Sequence, residues 1–281
     1  MPPAHCPHSP QRIEEKGTTV PSNQKQLSRS LLKKYLRLKT DRGFRHLDAK
    51  NKLEILAVKF GLKPAFLGLA EARTNFEHAA ILLNLKYQLT NTPPPYFSRK
   101  PRVRESFLSA FVRIMMGEVV WIYSDVQVKS RISASLAGRL NEGHVLGYPQ
   151  CCIRWHEKKR VLQVESVFQD IESYISRNPL ALMNAQRGGG EEEMYEALLC
   201  DPRGQGYHDN QDRVSAERSQ HIERTYKRYP FVPHWACSSC LEGKNEETER
   251  LNRQYQELAM NVSPGLAREI IRSLSNMTGP I

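Results

Sequence analysis

The sequence predicts an α+β fold, predominantly helical, with a small sheet in the middle of the chain. Two observations point that way. Apolar residues recur at helical spacing over most of the chain, whereas Val119, Val120, Trp121, Ile122 and Tyr123 form a β-branched and aromatic run of strand length. A third divides the chain: the triple proline of "TNTPPPYFSRKPRVR" cannot continue a helix and marks a boundary near residue 97. The expected organisation is a disordered tail over 1–26, a basic helical region over 27–97 and an α+β domain carrying the cysteine motifs over 98–281.

Residues 1–26 are rich in Pro, Ser, Gln and Lys and lack periodicity, which predicts disorder. Within them His5, Cys6 and His8 of "HCPH" read as part of a solvated tail, since nothing there would hold ligands in place. "SRSLLKKYLRLK" predicts a basic amphipathic helix with Leu31, Leu32, Tyr35, Leu36 and Leu38 toward one side. "DAKNKLEILAVKFG" predicts a helix capped by Asp48 and stopped at Gly61, and helical character continues after Pro64 through "PAFLGLAEARTNFEHAAILLNLKYQL". "FLSAFVRIMMG" fits helix or strand, so the sheet is expected around residues 107–124. "VKSRISASLAGRLNEGHVLG" predicts a helix with Ile132, Leu136 and Leu140 on one side. Beyond it the pattern is almost wholly helical, with "QRGGGEEE" and "DPRGQGYHDN" as loops.

The 281 residues carry a formal charge of +11 and a sequence pI near 9.4. Residues 1–52 hold 12 Lys/Arg against 4 Asp/Glu, a net of +8 that leaves about +3 for the rest. That asymmetry suggests an accessory N-terminal segment that meets an anionic partner such as nucleic acid. No run has the 18 or more apolar residues of a membrane span, and the N-terminus has no apolar stretch to serve as a signal peptide. The expectation is a cytoplasmic protein, where six cysteines point to metal or redox chemistry rather than disulfides. Walker loops, Gly-x-Gly-x-x-Gly, His-Glu-x-x-His and Gly-x-Ser-x-Gly are all missing from the sequence, so nucleotide-binding and hydrolase readings have no handle.

Two motifs carry the chemistry. In "GYPQCCIRWH", Pro149 suits a first helical position and places Cys151 and Cys152 in the first turn, where free N–H groups and the helix dipole favour thiolate. In "VPHWACSSC", His234, Cys237 and Cys240 follow at three-residue intervals. Cys151, Cys152, Cys237 and Cys240 thus offer four thiolates for an iron–sulfur cluster or zinc, with His234 as a fifth metal ligand candidate. The vicinal pair favours the cluster, because adjacent residues can reach different irons, whereas a compact ZnS4 site is awkward for them. Consecutive helical residues also diverge by about 100°, which predicts unequal roles for Cys151 and Cys152. Elsewhere Cys200 reads as a buried inert thiol on an apolar helical face. His144 and His156 read as surface or partly packed histidines, Trp155 as core, Tyr148 as turn packing, and Lys158, Lys159 and Arg160 as a solvated charge run.

These motifs resemble a prokaryotic family of unknown function, best represented in archaea, with Gly-Tyr-Pro-x-Cys-Cys followed by His-x-x-Cys-x-x-Cys. The likeness spans roughly residues 105–260 and implies a shared cysteine site without implying a reaction. A looser likeness, in ligand pattern only, is to the cobalamin-independent epoxyqueuosine reductases, which combine Cys-Cys with Cys-x-x-Cys around a cluster. The leading expectation is an iron–sulfur protein acting in reduction or cluster-dependent modification, as an iron–sulfur-dependent oxidoreductase would. Two others stand beside it: a zinc-stapled nucleic-acid-binding protein without catalysis, and a metal-free thiol redox protein.

Overall fold

A computed structural model describes Tyr35, residues 41–93, 117–160, Leu162 and residues 205–278. The elements run α1 (Arg42–Arg45), α2 (Ala49–Lys59), β1 (Ala65–Leu69), a 3-10 turn (Ala70–Ala72), α3 (Arg73–Leu82), β2 (Lys86–Asn91), β3 (Glu118–Tyr123), α4 (Val126–Leu136) and α5 (Glu142–Val145). After them come α6 (150–160), α7 (Gln205–Arg228), α8 (Ser238–Leu241), α9 (Glu247–Val262) and α10 (Pro264–Thr278). The fold is the predominantly helical α+β expected, with one small antiparallel sheet.

The order of that sheet, β1-β3-β2, is a finding. β3 pairs antiparallel with both neighbours in one register, so Trp121 lies between Leu67 and Gln88. β1 and β2 are therefore parallel and joined through α3, with β3 inserted between them as in a split βαβ unit. Both were expected to be helical. "AFLGL" has no β-branched residue and "KYQLTN" is largely exposed, so pairing with β3, and not local propensity, makes them strands. Strands on both sides of residue 97 thus share one sheet.

From Val119 to Tyr123 β3 is apolar because both its faces are covered. Val120 and Ile122 enter a large core with Phe66, Leu53 and Leu56 of α2, Phe76 of α3, Tyr255 and Leu258 of α9 and Ile270 of α10. Val119, Trp121 and Tyr123 enter a second core with Val128 and Ile132 of α4 and Val145 of α5. Gly68 of β1 allows α3 to approach, since a Cβ there would lie 2.5 Å from Cε2 of Phe76. Tyr35 and Phe44, assigned by sequence to the basic region, are buried in the large core with their rings edge to face at 6.3 Å.

Caps set the boundaries. Asp48 Oδ1 accepts from Asn51 N–H at 2.8 Å at the start of α2, and Gly61 follows its end at φ +73°. Asp125 Oδ1 accepts from Gln127 N–H at 2.9 Å at the start of α4. The single helix expected through residue 146 is instead broken at Gly138 (φ +67°) and restarted at Asn141. Asn141 Oδ1 caps α5 through Gly143 N–H at 2.7 Å, while its Nδ2 donates to Glu157 of α6 at 3.0 Å. Arg160 of α6 pairs with Glu142 of α5 at 2.9 Å, fixing the turn between them. The helix α7 begins at Gln205, inside a stretch expected to be a loop. The tail with His5, Cys6 and His8, Cys200, the boundary at 97 and residues 105–116 lie outside the described residues.

Candidate metal centre

The two cysteine motifs occupy two helix starts. Gly147 (φ +74°) turns the chain into α6, and a Cβ there would lie 2.7 Å from Pro64 Cδ. Pro149 C=O accepts from the N–H groups of Cys152 and Ile153, both at 3.0 Å, so Pro149 precedes the helix by one position and Cys151 and Cys152 occupy its first turn. On the other side Cys237 caps α8 and Cys240 lies within it. The end of α8 is tied down: Tyr229 Oη donates to Cys240 C=O at 2.7 Å and Arg228 Nη1 to Leu241 C=O at 2.6 Å.

The four sulfurs converge. Cys237–Cys240 Sγ are 3.5 Å apart, Cys151–Cys240 3.6 Å, and Cys151–Cys152 and Cys152–Cys240 each 3.9 Å. All four lie within 4.8 Å of one another, so they could hold a metal ion. The vicinal pair closes on one point because Cα–Cβ bonds tilt toward a helix N-terminus, which lets consecutive first-turn residues reach a centre off the helix end. Cys152, Cys237 and Cys240 are buried and Cys151 is half-buried, so the pair is unequal in exposure.

Donors surround the sulfurs. Cys237 N–H points to Cys152 Sγ at 3.3 Å, and Thr248 Oγ1 of α9 donates to Cys240 Sγ at 3.2 Å. The Cys152 thiol, with Thr248 and the Cys237 and Cys151 thiols, holds Cys240 below the usual thiol range against the opposing effect of burial. Burial and the partly charged Cys240 push Cys151 up, and the Cys240 contact with burial pushes Cys152 up. Four thiolates in so small a space require a positive charge at their centre. The donor set fits a metal.

His234 lies outside the group of four. It is buried, its ring is 5.0 Å from that of Tyr148, and its Nε2 is 3.4 Å from Thr248 Oγ1. The Thr248 proton is committed to Cys240, so the His234 Nε2–H donates to Thr248 and Nδ1 is left as an acceptor without a partner. Burial, with His156 and Lys63 nearby, lowers its pKa to about 3 and keeps the ring neutral. His234 thus reaches the sulfurs through Thr248, which no sequence motif marked. His144 lies in the last turn of α5, and half-buried Trp155 packs against the cysteine cluster.

A second polar group adjoins His234. Lys63 is buried, pairs with Glu54 and stands 5.2 Å from the centroid of the Tyr148 ring. Lys50, one helical turn before Glu54, sets its buried Nζ 3.0 Å from the Tyr226 ring centroid with no hydrogen-bond partner. Burial lowers its pKa to about 7, opposed by Glu54 and Asp48.

No protein-family model, curated protein or solved structure matches the chain. No helix among the described residues is long and apolar enough to cross a membrane.

Proposed function

We propose that the four cysteines hold one zinc ion as a structural staple and that the stapled protein binds nucleic acid without catalysing a reaction. The observation that carries the first half is the sulfur spacing. Arms of about 2.3 Å around one tetrahedral ion give sulfur–sulfur edges of about 3.8 Å, and the four closest pairs stand at 3.5, 3.6, 3.9 and 3.9 Å. An iron–sulfur cluster places several irons between its thiolates and needs them farther apart. Four protein sulfurs also leave no open position of the kind a catalytic zinc keeps. The staple would join the start of α6 to α8, across the 84 residues between Cys152 and Cys237. The second half draws on the charge of +11.

Metal and acid-labile sulfide analysis of protein purified without oxygen, with its visible spectrum, tests the centre. Stoichiometric zinc in a colourless protein supports the staple. A brown protein with labile sulfide returns the iron–sulfur oxidoreductase reading. A metal-free protein with a titratable dithiol returns the thiol redox reading, to which the half-exposed Cys151, 3.8 Å from Glu247 Oε2, would contribute the reactive sulfur.

A further inference from the structure

Beside the cysteines, α6 and α7 face each other across a ladder of half-buried rings. Trp155 and His221 stack at 4.5 Å and 18°, His156 meets the edge of Trp155 at 4.9 Å, and Trp235 lies 5.5 Å from His156. Cations cap both ends: Arg218 sits 4.7 Å from the Trp235 ring centroid and Lys159 5.8 Å from that of Trp155.

The ladder is fixed in place. His156 Nε2–H donates to Trp235 C=O at 3.0 Å and His221 Nε2–H to Ala236 C=O at 2.8 Å, which pins the Trp235 loop to both helices. Cys237 follows that loop directly, so the metal centre anchors the same segment. Burial lowers the pKa of both imidazoles, so the rings stay neutral and stack without mutual repulsion.

The same face is basic. Residues 150–160 net +3 and residues 216–228 net +2, while the whole chain from residue 53 onward nets only about +3. Lys159 and Arg218 bring part of that charge to the Trp155 and Trp235 rings. The N-terminal segment offers nothing comparable, since its aromatic residues Tyr35 and Phe44 are buried in the core.

We propose that the α6/α7 face binds single-stranded nucleic acid, with bases stacked on Trp155 and Trp235 and phosphates paired with the cations around them. This rests on the nucleic-acid reading above and locates it. Single strands are the partner because a ring can stack only on a base whose face is open, which a duplex hides. Exposed Arg224, close enough to His221 to act on its charge, extends the cationic border along α7.

Intrinsic fluorescence reads the contact directly. The chain has three tryptophans, and Trp121 is fully buried in the sheet, so quenching reports Trp155 and Trp235. The full chain is titrated at low salt with an oligouridylate of about ten nucleotides and with a duplex of equal length. The single strand is expected to quench and the duplex to bind more weakly. Trp235→Ala should weaken single-strand binding about tenfold or more. Trp235→Phe should keep the affinity while losing part of the quenching, and Arg218→Ala, an exposed change, should lower the salt slope by about one. Metal content and far-UV circular dichroism check folding; should Trp235→Ala fail to fold, Trp235→Phe and Arg218→Ala decide. Binding without any fluorescence change, untouched by Arg218→Ala and abolished by neutralising Lys33, Lys34, Arg37 and Lys39 to Gln, overturns this face and leaves the nucleic-acid reading standing. Equal quenching by the duplex overturns the single-strand assignment. No binding of either probe at low salt overturns both.

Discussion

Thr248→Val is the substitution that separates the metal centre from the fold around it. Thr248 is fully buried in the first turn of α9, and valine has nearly its shape, so the change removes a hydroxyl and little else. Three contacts go with it: the donor to Cys240 Sγ at 3.2 Å, the contact with Cys152 Sγ at 3.5 Å and the acceptor for His234 Nε2–H at 3.4 Å. A hydrogen bond to a charged acceptor is worth about 1.5–3 kcal/mol. Loss of an outer-shell partner typically lowers metal affinity about 10–100-fold, which is about 1.4–2.7 kcal/mol. The two independent routes agree. Competition against a chromophoric chelator should therefore show a loss in that range, while Thr248→Ser stays close to wild type. His234 would keep no partner on either nitrogen, so the metal-free protein should also lose about 1–3 kcal/mol in urea unfolding. Adding His234→Phe should recover part of that stability and none of the metal affinity. Chelator competition indistinguishable from wild type would refute Thr248 as a donor to the metal-bound sulfur.

Other consequences are equally specific. Cys240→Ala removes the sulfur that touches all three others and should abolish metal binding; hydrogen exchange should then speed up in residues 150–160 and 229–241 and change little in β1 and β3. Gly68→Ala forces a Cβ to 2.5 Å from Phe76 and should destabilise by about 1–3 kcal/mol in urea, with metal content unchanged. Lys63→Met leaves Glu54 without its buried partner and should cost about 3–5 kcal/mol, whereas adding Glu54→Gln should restore much of it. Lys50 has a folded pKa of about 7 against an ordinary 10.5, so between those values only the unfolded chain holds the proton and stability rises with pH. Lys50→Met should flatten that rise and raise the urea midpoint at pH 7; an unchanged slope would show that Lys50 keeps its proton over Tyr226.

Legibility in the sequence followed how local each cause was. The helix α2 was readable at both ends because Asp48 and Gly61 act within a few residues. β3 was readable because burial on both faces leaves an unbroken apolar run. β1 and β2 were not, because what makes them strands is a partner more than 25 residues away in sequence from either. The four cysteines stood out by spacing and do converge. His234 shared that spacing but faces Thr248, a residue whose role depends on the packing of α9 against α8. The vicinal pair looked unfit for one centre because a view down the helix axis omits the tilt of side chains toward its N-terminus. Lys50, Glu54 and Lys63 carried no signal at all, being ordinary charges in a helix and a turn until the fold buried them.

The inserted middle strand has a consequence for biosynthesis. As the chain leaves the ribosome, β1 and β2 emerge first, and neither can form its ladder, because the place between them belongs to β3. The 26 residues between Asn91 and Glu118 take about one to five seconds to synthesise. Throughout that interval neither β1 nor β2 has its hydrogen-bonding partner. Sheet closure therefore waits for β3, and Trp121, on β3 itself, should become buried only as that closure occurs.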